Sequence, residues 1–231
     1  MLAGLDNPIW RSEGRYLLPL ERQVEAFRRA DPPPEHKLAV PVAVPAHLIR
    51  VSQAAQHPRN EAVADLVTIG FYFLLRVGEY THTNEKQRRR TKQFRAKDVT
   101  FWDSTGAVIP NTAPLATLAQ AAEATLSISN QKNGTRGSLI HHEANHELSC
   151  PVAALARRVH HIMARGVADD MLGTYFNPRG YKMHIVAGDI NKAIKLAVTS
   201  LGLEKKGFPP SAVSSHSLRA GGGNGDAPQR C

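Results

Sequence analysis

A histidine and an arginine stand three positions apart in the segment Ser215-His216-Ser217-Leu218-Arg219. On a helix, side chains at this spacing lie on one face. A guanidinium fork beside an imidazole suits the oxygens of a phosphodiester under attack, because the fork donates two parallel hydrogen bonds. The pair therefore indicates phosphate binding, although the pattern His-x-x-Arg taken alone is common.

Two upstream segments add further cations. The run from Phe71 to Tyr80 reads as an apolar helix closed by Arg76, with Glu79 just beyond it. Residues 124–137 read as a β-hairpin with Lys132 at its Lys-Asn-Gly turn. Fixed cations around a phosphodiester stabilise the negative charge that builds on its non-bridging oxygens during attack.

Arg76 with Glu79, then Lys132, then His216 and Arg219, in that order, resemble the catalytic domain of tyrosine recombinases (phage integrase-like), and in detail the integrases of eukaryotic mobile elements. The resemblance implies DNA integration or site-specific recombination, which is phosphodiester transfer through a covalent 3′-phosphotyrosyl intermediate, with no metal and no cofactor. It also implies a mainly helical α+β fold with a small three-stranded antiparallel sheet.

The resemblance further implies a role for each residue. Arg76 and Arg219 hold the non-bridging oxygens, and His216 hydrogen-bonds the phosphate and helps to move the proton of the nucleophile. Lys132 protonates the departing 5′-hydroxyl, for which an ammonium suits better than a guanidinium. Glu79 orients Arg76 without touching DNA.

Each residue also has a structural alternative. Arg76 at the end of a buried helix fits a capping or ion-pairing role, and Lys132 fits a solvated turn. His216 fits a helix cap, with Ser214 and Ser215 as the competing N-caps. The joint occurrence of these residues in order, with suitable elements between them, favours the functional interpretation.

The nucleophile of the family is a tyrosine downstream of the Arg219 position, and no tyrosine follows Tyr181 in this sequence. We therefore expect a C-terminally truncated site that is inactive for strand cleavage. Two functions stay open: an enzyme completed by missing sequence or by the tyrosine of another protomer, and a non-catalytic DNA-binding remnant. Residues 223–231 form helices poorly, and we expect an aberrant, disordered tail produced by a frameshift.

The resemblance covers about residues 20–222. Residues 1–31, with a helix predicted over 12–30, are interpreted as the remnant of an N-terminal DNA-clamping (core-binding) domain. The proline-rich segment 32–45 reads as an extended linker, because consecutive prolines cannot continue a helix. Residues 46–222 are then the recombinase-like catalytic domain.

Hydrophobic periodicity and turn residues predict the elements of that domain. Helices are predicted over 46–57, 60–76, 151–165 and 186–201, and strands over 94–102, 124–129 and 137–142.

The net charge of +9 favours a polyanionic partner, and duplex DNA is the partner that the resemblance implies, with self-assembly on DNA as a further expectation. Ribosomal or membrane-surface binding would fit the charge equally. The aromatic content of 6% argues against a stacking platform for single strands. The run 86–92 is a candidate DNA contact, a nuclear-import signal or a solvated loop. Its basic side chains are Lys86, Arg88, Arg89, Arg90 and Lys92.

Two cysteines, Cys150 and Cys231, give no disulfide framework and indicate a reducing compartment. No apolar run of the sequence reaches membrane-spanning length. We expect a soluble, intracellular protein without membrane contact, nuclear if its source is eukaryotic.

The segment His142-Glu143-Ala144-Asn145-His146 matches His-Glu-x-x-His, the zinc-protease pattern. That chemistry needs both histidines on one helix face, with the glutamate activating a zinc-bound water. The segment follows a predicted strand, and no third ligand follows at an established spacing, so a zinc metalloprotease is a minor alternative. A structural zinc site formed by His142, His146 and Cys150 is equally minor.

Overall fold

The computed structural model describes Arg22 and residues 37–83, 92–128 and 137–223. The described residues from Lys37 onward belong to one compact unit. Apart from Arg22, the helix predicted over 12–30 lies outside the described residues, and so does the tail beyond Gly223. No helix in the described ranges is both long enough and apolar enough to span a bilayer.

Helices form most of the framework of this unit. They are α1 (Ala43–Ala55), α2 (Pro58–Tyr72), α3 (Val77–Tyr80), α4 (Leu115–Ala119), α5 (Pro151–Met163), α6 (Ala187–Ser200) and α7 (Ser215–Gly223). Short 3-10 turns lie at Ala96–Asp98, Leu203–Lys206 and Pro210–Ala212.

Helix α2 is the centre of the core. Every residue from 62 to 71 is buried, so the helix is enclosed on all sides rather than on one face. It begins at Pro58, where the missing N–H costs nothing, behind His57, whose side chain accepts from the Arg59 N–H at 3.2 Å. Helices α1, α5, α6 and α7 all pack against α2.

The structure corrects the C-terminal end of this helix, which was predicted at Arg76. Leu74 adopts the left-handed conformation with φ 53°, and the Leu75 N–H bonds the Gly70 carbonyl at 3.2 Å. These two features close the last turn after Tyr72. Arg76 is therefore extended backbone that precedes α3, rather than the final residue of α2.

The main sheet is antiparallel with the strand order β2-β1-β3-β4. Its strands are β1 (Val99–Trp102), β2 (Val108–Ile109), β3 (Glu123–Ile128) and β4 (Ser138–Glu143). The prediction of three strands missed the short edge strand β2, because two residues are too few to show an alternating pattern. The strand predicted from residue 94 begins at Val99 because Ala96–Asp98 forms a 3-10 turn.

A separate ribbon of two strands, β5 (Thr174–Phe176) and β6 (Lys182–His184), was not predicted. Strand β6 is largely exposed and contains lysine, methionine and histidine, so it lacks the apolar alternation that signals a strand. The α+β class is confirmed, and the tryptophan-bearing strand β1 pairs with β3 as an antiparallel neighbour.

Part of the predicted linker belongs to this unit. Helix α1 begins at Ala43, and both Val40 and Val44 are buried. The Val40 N–H bonds the Ser217 carbonyl at 3.3 Å. Pro45 fits in the first turn of the helix, where its missing N–H has no intrahelical partner to lose. The prediction of an extended linker up to residue 45 is corrected for these last residues.

A buried ion pair ties α2 to α5. Asp65 is 1% exposed and pairs with the Arg157 guanidinium at 2.6 Å. Burial raises the pKa of the Asp65 carboxyl, opposed by the charge and hydrogen bond of Arg157. Next to it, Arg158 is 2% exposed and donates to the carbonyls of Leu172 and Thr174, and burial lowers its pKa to about 10.

We expect protonation of His161 to lower the free energy of unfolding in acid. Its Nε2 accepts from the Phe176 N–H at 3.0 Å, and burial, with the charges of Arg158 and Arg165, lowers its pKa from 6.5 to about 4. Because the folded state prefers the neutral ring, His161 contributes its full stabilisation of the fold above the unfolded pKa. This stabilisation is lost as the pH falls from 6.5 towards 4.

Urea unfolding of wild type and His161→Gln at neutral and acidic pH tests this expectation. Wild type should lose on the order of 1 kcal/mol more than the variant, less than the full pKa shift implies because the ring is partly exposed. Glutamine keeps an acceptor for the Phe176 N–H but does not titrate. The same loss in both proteins would exclude His161 as the cause.

Candidate nucleic-acid interface

Arg76 is held in place by Glu79. One carboxylate oxygen of Glu79 accepts from the Arg76 backbone N–H at 2.7 Å, and the other accepts from Nη1 at 3.3 Å. The Glu79 side chain is 4% exposed, whereas the Arg76 side chain is 40% exposed. A guanidinium has five N–H donors, so this contact fixes the base of the fork and leaves further donors for a ligand.

His216 and Arg219 both lie on α7 and both are exposed. The helix is capped by Ser214, whose Oγ accepts from the His216 N–H at 3.3 Å, and Ser217 Oγ accepts from the Ser214 N–H at 3.0 Å. Asn191 of α6 also accepts from the Ser215 N–H at 2.7 Å. Because Ser214 performs the capping, the imidazole of His216 is left for other contacts.

Two glycines bring α7 against the end of α2. A Cβ on Gly221 would overlap the Val40 carbonyl, and one on Gly222 would overlap the Phe71 carbonyl and lie 2.7 Å from Leu74 Cδ2. Only a residue without a side chain fits at this approach. Since Arg76 follows Leu74 by two residues, Arg76 and the C-terminal half of α7 lie at the same end of α2.

Lys132 lies outside the described residues. The structure describes the base of its hairpin, where Ile128 of β3 pairs with Ser138 of β4, and the Gly137 N–H bonds the Ile128 carbonyl at 2.9 Å. The predicted role of Lys132 stays a prediction.

Of the predicted basic contacts, Lys86, Arg88, Arg89 and Arg90 lie outside the described residues, and Lys92 is described and exposed. The chain beside Lys92 returns to the Arg76 region. The Gln93 amide donates to the Thr83 hydroxyl, and the Phe94 N–H bonds the Glu79 carbonyl at 2.8 Å. These two bonds hold the chain that follows Lys92 against α3 and the residues just after it.

The structure places two cations and two imidazoles beside Lys92 that sequence reasoning missed. One pocket is lined by Lys92 together with Arg95, Lys182, His82 and His184. Arg95 follows the basic run 86–92 by three residues, and this proximity in sequence could have identified it. Lys182 and His184 carried no such signal, because they reach the pocket from the distant strand β6.

The His-Glu-x-x-His segment does not have the geometry of a zinc protease. Strand β4 ends at Glu143, and His146 lies in a loop with φ 56°, so the two histidines share no helix face. His142 Nε2 instead bonds the Tyr72 carbonyl at 2.6 Å. Among the described residues, no group of three or more histidine, cysteine, aspartate or glutamate side chains is placed to hold a metal ion. The segment therefore lacks the helix that the zinc-protease pattern requires.

No model of a known protein family matches the chain, and no curated protein matches it. The resemblance to tyrosine recombinases therefore stays a prediction from the residues that carry it.

We expect Gly222→Ala to destabilise the protein. The added methyl group would overlap the Phe71 carbonyl, and a backbone carbonyl cannot turn aside as a flexible side chain can. The loss in unfolding free energy should be about 1–3 kcal/mol, as for other overpacked sites. Gly188→Ala on α6 is the matched control, since nothing lies within 4 Å of its added Cβ. Chemical denaturation should show that the control is unchanged or stabilised by up to about 1 kcal/mol. Equal stability of the two variants would contradict the close approach of α7.

Proposed function

We propose that this chain binds duplex DNA through phosphate contacts of Arg76, His216 and Arg219. The site is of the tyrosine-recombinase type, and its ancestral reaction is DNA integration or site-specific recombination. The observation that carries the proposal is the docking of α7 on the end of α2 through Gly221 and Gly222.

This docking joins residues from distant parts of the chain. Arg76 and the helix bearing His216 and Arg219 are far apart in sequence, yet that helix packs on the end of the central helix that Arg76 follows. The half-exposed guanidinium of Arg76, the exposed one of Arg219 and the imidazole of His216 suit a phosphodiester, because each can donate a charge-assisted hydrogen bond to its oxygens. Glu79 supports the proposal by holding Arg76 through two contacts while it stays buried itself.

In the ancestral reaction these groups would act on the charge that develops during attack. The forks of Arg76 and Arg219 bind the non-bridging oxygens more strongly as they gain negative charge, which lowers the barrier. His216 donates to the same phosphate, and Lys132 of the hairpin supplies a proton to the departing 5′-hydroxyl.

Binding without cleavage is the second candidate, and the described tyrosines favour it. Tyr80 is fully buried, and Tyr175 is 6% exposed. The Tyr72 hydroxyl lies 3.4 Å from Ser149 Oγ and accepts from the Asn145 amide at 3.3 Å. Tyr181 is 65% exposed, but it lies in the turn between β5 and β6 rather than on a helix that follows α7.

Replacing Arg76 or Arg219 by alanine should weaken duplex binding by about 1–3 kcal/mol, because each change removes a charge-assisted hydrogen bond. Fluorescence anisotropy with random-sequence duplexes across a salt titration measures the effect. The slope of log K against log salt should become shallower by about 0.9 for each phosphate that the variant no longer neutralises. Arg50→Ala, which removes an exposed arginine of α1, is the matched control and should change affinity less. Wild-type affinity in both site variants at every salt concentration would refute the proposal.

We expect the 231-residue chain to form no covalent adduct with DNA, because none of its described tyrosines is exposed on α7 or beside Arg76. The test incubates the protein with nicked and suicide duplexes and separates the products under denaturing conditions. An adduct that disappears in Tyr181→Phe would show strand cleavage through an unexpected nucleophile. An adduct that survives this change would direct the same test to Tyr16, which lies outside the described residues.

A further inference from the structure

A pocket of about 440 Å³ lies beside the segment that follows α3. Four separate parts of the chain contribute to it, and the proposed function uses none of its residues. The side chains that matter for its chemistry are His82, Lys92, Arg95, Asp170, Lys182 and His184.

The two imidazoles of the pocket are stacked on each other. The ring centroids of His82 and His184 are 4.5 Å apart, with 13° between the ring planes. The His82 backbone N–H bonds the Ile185 carbonyl at 2.8 Å, and Thr174 Oγ1 lies 3.3 Å from His184 Nδ1. The stacking and the Thr174 contact order the His184 ring, and the backbone bond holds the chain at His82. His82 Nδ1 is buried without a hydrogen-bond partner.

Cations outnumber anions around this pocket. Of the described residues that line it, Lys92, Arg95 and Lys182 are cations and Asp169 and Asp170 are anions, which gives a net charge of +1 with neutral imidazoles. This excess favours an anionic ligand.

The ion pairs in the pocket leave its cations available. Asp169 is 70% exposed and pairs with Lys97 and with Arg95, the latter at 3.5 Å. The hydrogen bond and charge of Lys97, with a further contribution from Arg95, lower the pKa of Asp169. Exposed pairs of this kind are weak, so Arg95 can exchange a carboxylate for a phosphate at little cost. Asp170 pairs with Lys182 at 2.5 Å. The Asp170 side chain is 16% exposed and the Lys182 side chain is 45% exposed, so the carboxylate is the more buried partner.

We propose that this pocket is a second phosphate-binding subsite, which holds a backbone phosphate of the same duplex that Arg76 contacts. The inference rests on the proposed function and adds to it the residues Lys92, Arg95 and Lys182. The ligand is a phosphodiester of duplex DNA, and a free phosphate ion is the competing source of the same chemistry.

The position of the pocket supports a shared duplex. His82 follows Arg76 by six residues, so their Cα atoms lie within about 20 Å even for a fully extended chain. At about 3.4 Å per nucleotide along one strand, both subsites fall within less than one turn of B-DNA. The bond of the Phe94 N–H to the Glu79 carbonyl at 2.8 Å links the pocket wall directly to the residue that holds Arg76. Two fixed contacts would set the direction of the duplex as well as its affinity.

The test compares two double variants with the same change of charge. Lys92→Gln with Lys182→Gln removes the two lysines of the pocket, and Lys195→Gln with Lys205→Gln removes two exposed lysines elsewhere. Binding of a short random-sequence duplex is measured across a salt titration. The pocket variant should bind roughly tenfold more weakly than the control, with a slope of log K against log salt shallower by about 1 to 2. Equal affinity and slope in the two double variants would overturn the subsite.

A single variant covers the case in which loss of Lys182 unfolds the protein by leaving Asp170 unpaired. Lys92 is exposed, so Lys92→Gln should keep the wild-type melting temperature. It should still reduce the salt slope by about 0.9, the value for one phosphate contact. A slope equal to that of Lys195→Gln would overturn the subsite as well.

Two further arms separate the remaining explanations. Arg76→Ala and Arg219→Ala are measured in parallel, and weaker binding in these variants alone refutes the subsite while the proposed function stands. Weaker binding in the pocket variant alone means that duplex binding does not involve Arg76, and it refutes the shared duplex. Inorganic phosphate at constant ionic strength should change the melting temperature of wild type by no more than it changes that of the pocket variant. A rise confined to wild type would identify a free-phosphate site and overturn the duplex as ligand.

Discussion

The close approach of α7 to the end of α2 is the contact on which the candidate site depends. Gly221 and Gly222 place the backbone of α7 directly on the carbonyls of Val40 and Phe71, with no room for a side chain between them. The buried Leu218 on the same helix adds apolar contact to this approach. The contact sets how close the C-terminal half of α7 lies to the end of α2, while Asn191 and Val40 hold its first turn through the Ser215 N–H and the Ser217 carbonyl.

Electrostatics around Arg76 follow one principle in both proposed subsites. In each subsite the cation pairs with a carboxylate that is more buried than itself. Glu79 pairs with Arg76, and Asp170 pairs with Lys182. The carboxylate lowers the net charge, but it orders a long and flexible side chain before any ligand arrives. Ordering in advance reduces the entropy that binding must cost, so the remaining donors are presented at a defined position.

The sequence predicted the long elements and missed the short ones. Helices α5 and α6 begin and end close to the predicted residues, because Pro151 and Gly202 mark their limits chemically. The end of α2 was misplaced, because the left-handed turn at Leu74 has no glycine to announce it. Glu79 was predicted to lie beside Arg76 because both are close in sequence. The pocket at His82 and His184 was missed because the residues that form it come from separate parts of the chain and meet only through tertiary packing.

The anchoring of the chain on either side of residues 84–91 has a consequence for variation in length. Thr83 contacts Gln93, and Phe94 bonds the Glu79 carbonyl, so the two ends of this segment are fixed next to each other by the folded core. The positions of Thr83, Gln93 and Phe94 are set by these contacts between described residues and not by the number of residues that joins them. The placement of Arg76, through Glu79, therefore depends on the anchors and not on the length of the segment between them.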